Sequence, residues 1–280
     1  MPYIQTQDHS QIYYRDWGTG KPVVFISSYA FSGEMWEYQM VPLSEQGLRT
    51  IAPDRRGHGR SDDPGHGYDF DSLADDLAEL FCQLDLSEVT LVGHSMGCCE
   101  VARYIGRHGN NRVARVVLIS SATPGGFPLL PEGAPRDVLD AHIGAISTNR
   151  PRYLRDAAMS FFALGSSWPL PGLSSEIVEH ALQIVLQTSP KALVETLRAH
   201  WKTDFRSDLA AFSVPTLVIH GEQDQSAPLE VIGRPTAQAI AKSQLIIYPT
   251  AVHGLFYTEQ KRLNRDLLSF IQGEAVNQSL

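Results

Sequence analysis

The chain has 280 residues, 43% of them hydrophobic and 19% charged, with a net charge of −8. That is the composition of a globular chain whose core needs no disulfide or metal staple. No block of five or more basic residues occurs, which argues against a nucleic-acid partner, and no run of about 18 apolar residues is present to span a membrane.

Met1–Ser10 is polar and lacks the basic and apolar regions of a secretory signal. Strand-like runs follow at Gln11–Trp17, which alternates, and at Val23–Ile26 and Thr50–Pro53, which are short and apolar. Leu73–Leu84 has helical spacing, with apolar Leu73, Leu77, Leu80, Phe81 and Leu84 on one face and Asp71 or Ser72 as the expected cap. A strand at Val89–Val92, a helix at Ser95–His108 and a strand at Val113–Ser120 continue the alternation. The rhythm then breaks. Pro124, Gly125, Gly126, Pro128, Pro131, Gly133 and Pro135 mark an exposed connector, and from Ala134 to about Arg206 the pattern is helical. Strands resume at Thr216–His220 and Leu245–Tyr248, and Leu255–Gln272 closes as a helix. Short buried strands alternating with helices predict an α/β fold with a doubly wound, mostly parallel sheet. The expected organisation is a core over 1–122, a helical cap over 123–206 and a second core part over 207–280.

Cys82, Cys98 and Cys99 show neither zinc-like spacing nor a plausible pairing, and are expected to be buried free thiols in a reducing, cytoplasmic setting. Gly20-Lys21 is followed by Pro22 and so makes no P-loop. Gly57-His58-Gly59 lacks the third glycine of a dinucleotide loop. No cofactor and no metal is expected, and a homo-oligomer is left open.

The informative stretch is Gly93-His94-Ser95-Met96-Gly97, which fits G-x-S-x-G with a strand before it and a helix after it. A serine at so sharp a strand-to-helix turn takes an unfavourable backbone conformation, so its neighbours must be small for the chain to close. A nucleophilic serine needs a base and an orienting acid. His253 follows the Leu245–Tyr248 strand, and Asp224 follows the Thr216–His220 strand, with Glu222 as the alternative acid. Loops after strands collect catalytic groups in such sheets. His94 reads as a packing residue, His220 as a satisfied, partly buried imidazole, and His58 and His66 as residues without a third metal ligand.

The chain resembles α/β-hydrolases of the cofactor-free haloperoxidase and aryl esterase group, which includes perhydrolases and lactonases. The likeness is carried by Ile12–Trp17, Trp36–Met40, Asp54-Arg55-Arg56-Gly57-His58-Gly59-Arg60-Ser61, the serine turn, Thr203–Asp208, Pro215–Asp224 and Leu263–Phe270. It is thin over roughly 125–200. The resemblance implies the α/β-hydrolase fold, with Ser95 as nucleophile, His253 as base and then acid, and Asp224 as orienting carboxylate. It implies an oxyanion hole built from the backbone amides of Met96 and Tyr29, and a small-molecule ester or lactone as substrate. Perhydrolysis through the same acyl-enzyme, and ligand binding with weak turnover, are the alternatives.

One stretch departs from the group. After the Val23–Ile26 strand its members write His-Gly, an aromatic residue and often proline, where this chain has Ser27-Ser28-Tyr29-Ala30. The expectation is that the Ser27 and Ser28 hydroxyls bond the loop in place of the histidine, or that the loop runs differently. In the cap, Phe161, Phe162, Trp168 and Trp201 are expected mostly to pack, with one or two lining an acyl pocket. Arg152, Arg155 and Arg198 read as surface charges.

Overall fold

The computed structural model describes residues 2–125, 136–163 and 173–276. Its strands are β1 (Tyr3–Gln5), β2 (Gln11–Trp17), β3 (Pro22–Ile26), β4 (Arg49–Pro53), β5 (Val89–His94), β6 (Val113–Ile119), β7 (Thr216–Gly221) and β8 (Ser243–Tyr248). They form one sheet in the order β1-β2-β4-β3-β5-β6-β7-β8. The β1–β2 and β2–β4 pairs are antiparallel and the others parallel. The expected doubly wound, mostly parallel α/β sheet is therefore present. Central strands such as β5 and β7 are buried throughout, as strands covered on both faces must be.

Helices α1 (Glu37–Glu45), α2 (Phe70–Gln83) and α3 (Met96–His108) follow β3, β4 and β5. α2 begins earlier than its apolar spacing suggests, because the Asp69 carboxylate accepts the Ser72 N–H at 3.0 Å and caps the helix there. Its Leu73, Leu77 and Phe81 join Val101 and Ile105 of α3 in the apolar layer on one face of the sheet. Trp36, Met40 and Leu43 lie in the layer on the other face. The long helix α4 (Arg136–Phe161), α5 (Ser175–Leu186) and α6 (Pro190–Lys202) lie between β6 and β7. α4 kinks at Asn149, just before Pro151, whose ring has no N–H to continue the hydrogen-bond ladder. Most of the Pro/Gly-rich connector, and Leu164, Trp168 and Leu170, lie outside the described residues.

α7 (Arg206–Ala210) precedes β7, and α8 (Arg234–Ala239) precedes β8. The expected terminal helix is two helices, α9 (Leu255–Thr258) and α10 (Gln260–Gln272), parted at Glu259. β1, α1 and α8 were not anticipated from the sequence. Cys98 and Cys99 are buried as expected, but Cys82 is exposed on the outer side of α2. Among the described residues no helix is long and apolar enough to cross a membrane.

The parallel register decides where chemistry can occur. Ile26 of β3 pairs with Gly93 of β5, His94 with Ile119 of β6, Ile119 with Ile219 of β7, and Gly221 with Tyr248 of β8. All these strands thus end along one edge. The loops carrying Ser27–Ala30, Ser95, Asp224 and His253 leave that edge together.

Candidate active site

Ser95 stands between β5 and α3 with φ 52° and ψ −119°, a left-handed backbone that non-glycine residues rarely adopt without a functional reason. Two glycines make the turn possible. A Cβ on Gly93 would lie 2.9 Å from the Gly97 carbonyl oxygen, and one on Gly97 would press into the carbonyl oxygens of Ile26 and Ser27. The steric account of G-x-S-x-G therefore holds, and α3 abuts the loop after β3. The Ser95 N–H donates to Ile119 O at 3.0 Å, which pins the corner to β6.

His253 and Asp224 meet Ser95 in a continuous hydrogen-bonded row. His253 Nε2 is 2.9 Å from Ser95 Oγ, and its Nδ1 is 2.7 Å from Asp224 Oδ2. Both His253 and Asp224 are buried. The other Asp224 oxygen accepts the N–H groups of Ser226 at 2.9 Å and Ala227 at 2.8 Å. Burial works to raise the Asp224 carboxyl. The His253 ring, its hydrogen bond and the Ala227 amide outweigh it, and the group sits below the ordinary aspartate value. Glu222, the alternative acid, is exposed.

His94 and His220 brace the backbone around the site. His94 donates from Nε2 to the His253 carbonyl oxygen at 2.9 Å, and burial together with the neighbouring His253 pushes it down to about 3. It is a neutral strut beneath the site. His220 is completely buried rather than partly so, and bonds Ala227 O at 2.6 Å. His58 is buried and His66 exposed. No group of three or more His, Cys, Asp or Glu side chains able to hold a metal occurs among the described residues.

The loop after β3 differs from the sequence expectation in its means of support. The Ser27 hydroxyl is buried without a partner, and the Ser28 hydroxyl makes no hydrogen bond among the described residues. A buried guanidinium holds the loop instead: Arg55 Nη2 donates to Ser27 O at 2.7 Å and Nη1 to Ser28 O at 3.4 Å. Ala30 has φ 66°, which proline, locked near −65°, cannot adopt. The chain here follows a path that a proline in that position forbids. The Tyr29 N–H has no acceptor among the described residues. The Met96 N–H opens α3, where no intrahelical acceptor exists.

Ser28, Tyr29, Ser95 and His253 line a cavity of about 370 Å³ closed by α4 and α5. Its walls are mostly apolar, with Phe31, Leu154, Phe161, Ala181 and Val185 among them. Phe161 stands edge-on to the His253 ring at 4.9 Å. Phe161 and Phe162 thus face the cavity, whereas Trp201 is buried elsewhere. Arg152 and Arg155 are exposed as expected, while Arg198 is half-buried and paired with Glu195. The α5–α6 turn and the first turn of α6 grip the β3 loop from above: Thr188 Oγ1 donates to Ala30 O at 2.6 Å, and the Tyr29 hydroxyl donates to Leu193 O at 2.9 Å.

Comparison with known proteins fits this geometry. Residues 21–260 match the family model described as the alpha/beta hydrolase fold. The chain is 39% identical to the non-heme chloroperoxidase CPO-A1 of Kitasatospora aureofaciens, over 97% of this chain and 99% of that protein. It is 36% identical to the bifunctional esterase/perhydrolase DCH of Acinetobacter calcoaceticus, over 97% of this chain and all (100%) of that one. The bromoperoxidase structure from Bacillus anthracis superposes with a TM-score of 0.90 at 38% identity, covering 97% of this chain and 99% of that one. The chain belongs to the α/β-hydrolase fold family, alongside the non-heme haloperoxidases and esterase/perhydrolases it resembles.

Proposed function

We propose that the protein is a serine hydrolase that cleaves a small or medium carboxylic ester or lactone through an acyl-enzyme. The observation that carries this reading is the Asp224–His253–Ser95 row, at 2.7 and 2.9 Å, opening on an apolar cavity. Ser95 Oγ attacks the carbonyl carbon and gives its proton to His253 Nε2. Asp224, held ionised by its surroundings, fixes the ring tautomer and stabilises the imidazolium. The carbonyl oxygen becomes an oxyanion that accepts the Tyr29 and Met96 N–H groups, with the N-terminus of α3 favouring the negative charge. The tetrahedral intermediate collapses as His253 protonates the departing alkoxide. Water, deprotonated by His253, then attacks the acyl-enzyme and releases the acid. Residues 123–206 act as a cap that shapes the acyl pocket, and the mostly apolar walls suit an uncharged acyl group.

Likeness to an esterase/perhydrolase and to haloperoxidases supports a second outcome at the same acyl-enzyme. Hydrogen peroxide in place of water yields a peroxycarboxylic acid, which oxidises halide. Halide oxidation that requires both peroxide and a carboxylic acid or ester is the expected signature.

The test is intact mass after exposure to a fluorophosphonate, together with hydrolysis of p-nitrophenyl butyrate, for the wild type and Ser95→Ala. A single adduct and measurable turnover, both lost in Ser95→Ala, are expected. Full esterase activity in Ser95→Ala refutes the assignment. A folded wild type that takes no adduct and turns nothing over points to a ligand-binding role.

A further inference from the structure

We propose that Arg55 is a positioning residue for the oxyanion hole: it aims the Tyr29 amide by holding the peptide behind it, and is itself tethered through Glu100 to the helix that carries the nucleophile. This rests on the serine-hydrolase reading and deepens it. The Tyr29 N–H and the Ser28 C=O belong to one planar trans peptide, so they point in opposite directions. Whatever grips the Ser28 oxygen on one side therefore sets the direction of the Tyr29 N–H on the other. Two donors grip it, the Phe31 N–H at 3.2 Å and Arg55 Nη1 at 3.4 Å. Arg55 Nη2 holds the preceding carbonyl, that of Ser27, at 2.7 Å. The side chains that replace the group's His-Gly pair supply no such anchor, since the Ser27 hydroxyl has no partner among the described residues.

The guanidinium is used completely. Its Nε donates to Glu100 Oε1 at 2.7 Å, and Nη2 also meets that oxygen. Nη1 points to Ser28 O and to His58 Nε2, 3.3 Å away. His58 Nδ1 lies 3.0 Å from Arg56 O, a contact in which the ring nitrogen must donate, which leaves Nε2 as the acceptor for Arg55. Each of the five N–H groups thus has a partner, and only a planar five-donor fork can serve them together. Glu100 lies on α3 behind Ser95, and Arg55 and Glu100 are 7% and 6% exposed. The absence of a side chain on Gly97 lets α3 pack against the Ile26 and Ser27 carbonyls, the second of which Arg55 also holds. Nucleophile and oxyanion donor are thereby built on one rigid unit, with Arg55 as the joint.

The test compares wild type, Arg55→Lys and the double variant Arg55→Met/Glu100→Met. Lysine keeps the charge beside Glu100 but cannot hold both carbonyls. The double variant replaces the buried pair by apolar groups of similar size, an exchange that folds often tolerate. Rates of p-nitrophenyl butyrate hydrolysis are taken per serine titrated with fluorophosphonate, and folding is followed by circular dichroism and thermal melts. The expected result is a folded protein in which kcat falls on the order of 10–10²-fold, short of the 10²–10³ for a donor removed outright. KM should stay within about threefold, because substrate binding is not what Arg55 serves. Unchanged kcat per titrated serine, whatever the melting temperature, overturns the positioning role, as does failure of both variants to fold. An inert wild type overturns the hydrolase reading itself, whereas an active wild type with fully active variants overturns only the role of Arg55.

Discussion

Replacing Asp224 by asparagine changes one oxygen for an NH2 group, and the surroundings dictate which. Asp224 Oδ1 accepts two backbone N–H groups, from Ser226 at 2.9 Å and Ala227 at 2.8 Å, while Oδ2 accepts His253 Nδ1–H at 2.7 Å. Turning the new NH2 toward the two amides would set donor against donor and leave both unmet, at about 1–3 kcal/mol each. The amide oxygen therefore stays on the backbone and the NH2 faces His253. The ring must then accept at Nδ1 and carry its proton on Nε2, the nitrogen 2.9 Å from Ser95 Oγ. Nε2 can no longer take the serine proton. Loss of a base in this way lowers kcat by up to about 10⁴, or about 5.5 kcal/mol of barrier at about 1.4 kcal/mol per decade. The assay is saturating turnover of p-nitrophenyl butyrate by Asp224→Asn, with circular dichroism confirming that the isosteric variant folds. A kcat within tenfold of wild type would show that Asp224 does not set the tautomer, and the role assigned to it would fall.

Two further predictions concern the frame around the row. His94 takes up a proton below pH 6.5 in the unfolded chain but only near about 3 when folded, so the unfolded state binds more protons between those values. Stability is then fully present above pH 6.5 and drains as pH falls, by up to about 4–5 kcal/mol from this group. Buried His58 and His220 and partly buried His200, also shifted down, add to the same trend. Urea unfolding between pH 7 and 4 should show the slope, and His94→Gln should flatten it; an equal slope in the variant removes His94 as a source. At Ala30, φ 66° suits glycine and excludes proline. Ala30→Gly should fold with an unchanged or higher melting temperature, while Ala30→Pro should lose at least tenfold in kcat by re-routing the loop, a donor's worth or less. Full activity in Ala30→Pro would show that the loop path does not depend on this residue.

What the sequence made legible was local. Gly93, Ser95 and Gly97 could be read because a strained corner needs small neighbours adjacent in the chain, and the contacts of those glycines are with the segments that flank them or lie beside them. Asp224 and His253 could be placed because each sits on a loop after a strand, and parallel strands in register deliver such loops to one edge. The start of α2 was missed by three residues because Asp69 caps outside the apolar period. β1 is only Tyr3–Gln5, too short for alternation to register. Cys82 was misjudged because helix α2 turns it outward, although its neighbour Phe81 is buried. Arg55 could not be found at all: it stands beside a second arginine in Asp54-Arg55-Arg56, and only the fold separates their duties. Arg56 is spent on Asp76 and Asp8, while Arg55 reaches the loop after β3.

The same nonlocal logic joins the cavity walls to the loop beside Ser95. The β3 loop is held from below by Arg55 and from above by Thr188 of the α5–α6 turn, on Ala30 O, and by Leu193 of α6, whose carbonyl accepts the Tyr29 hydroxyl. α5 supplies cavity walls at Ala181, Leu182 and Val185. The chain that walls the cavity at α5 thus runs on directly to Thr188 and Leu193, which hold the β3 loop. The departure from His-Gly then has a physical sense. The loop finds no anchor in the Ser27 side chain; Arg55 holds its carbonyls on one side, and Thr188 and Leu193 hold Ala30 and Tyr29 on the other.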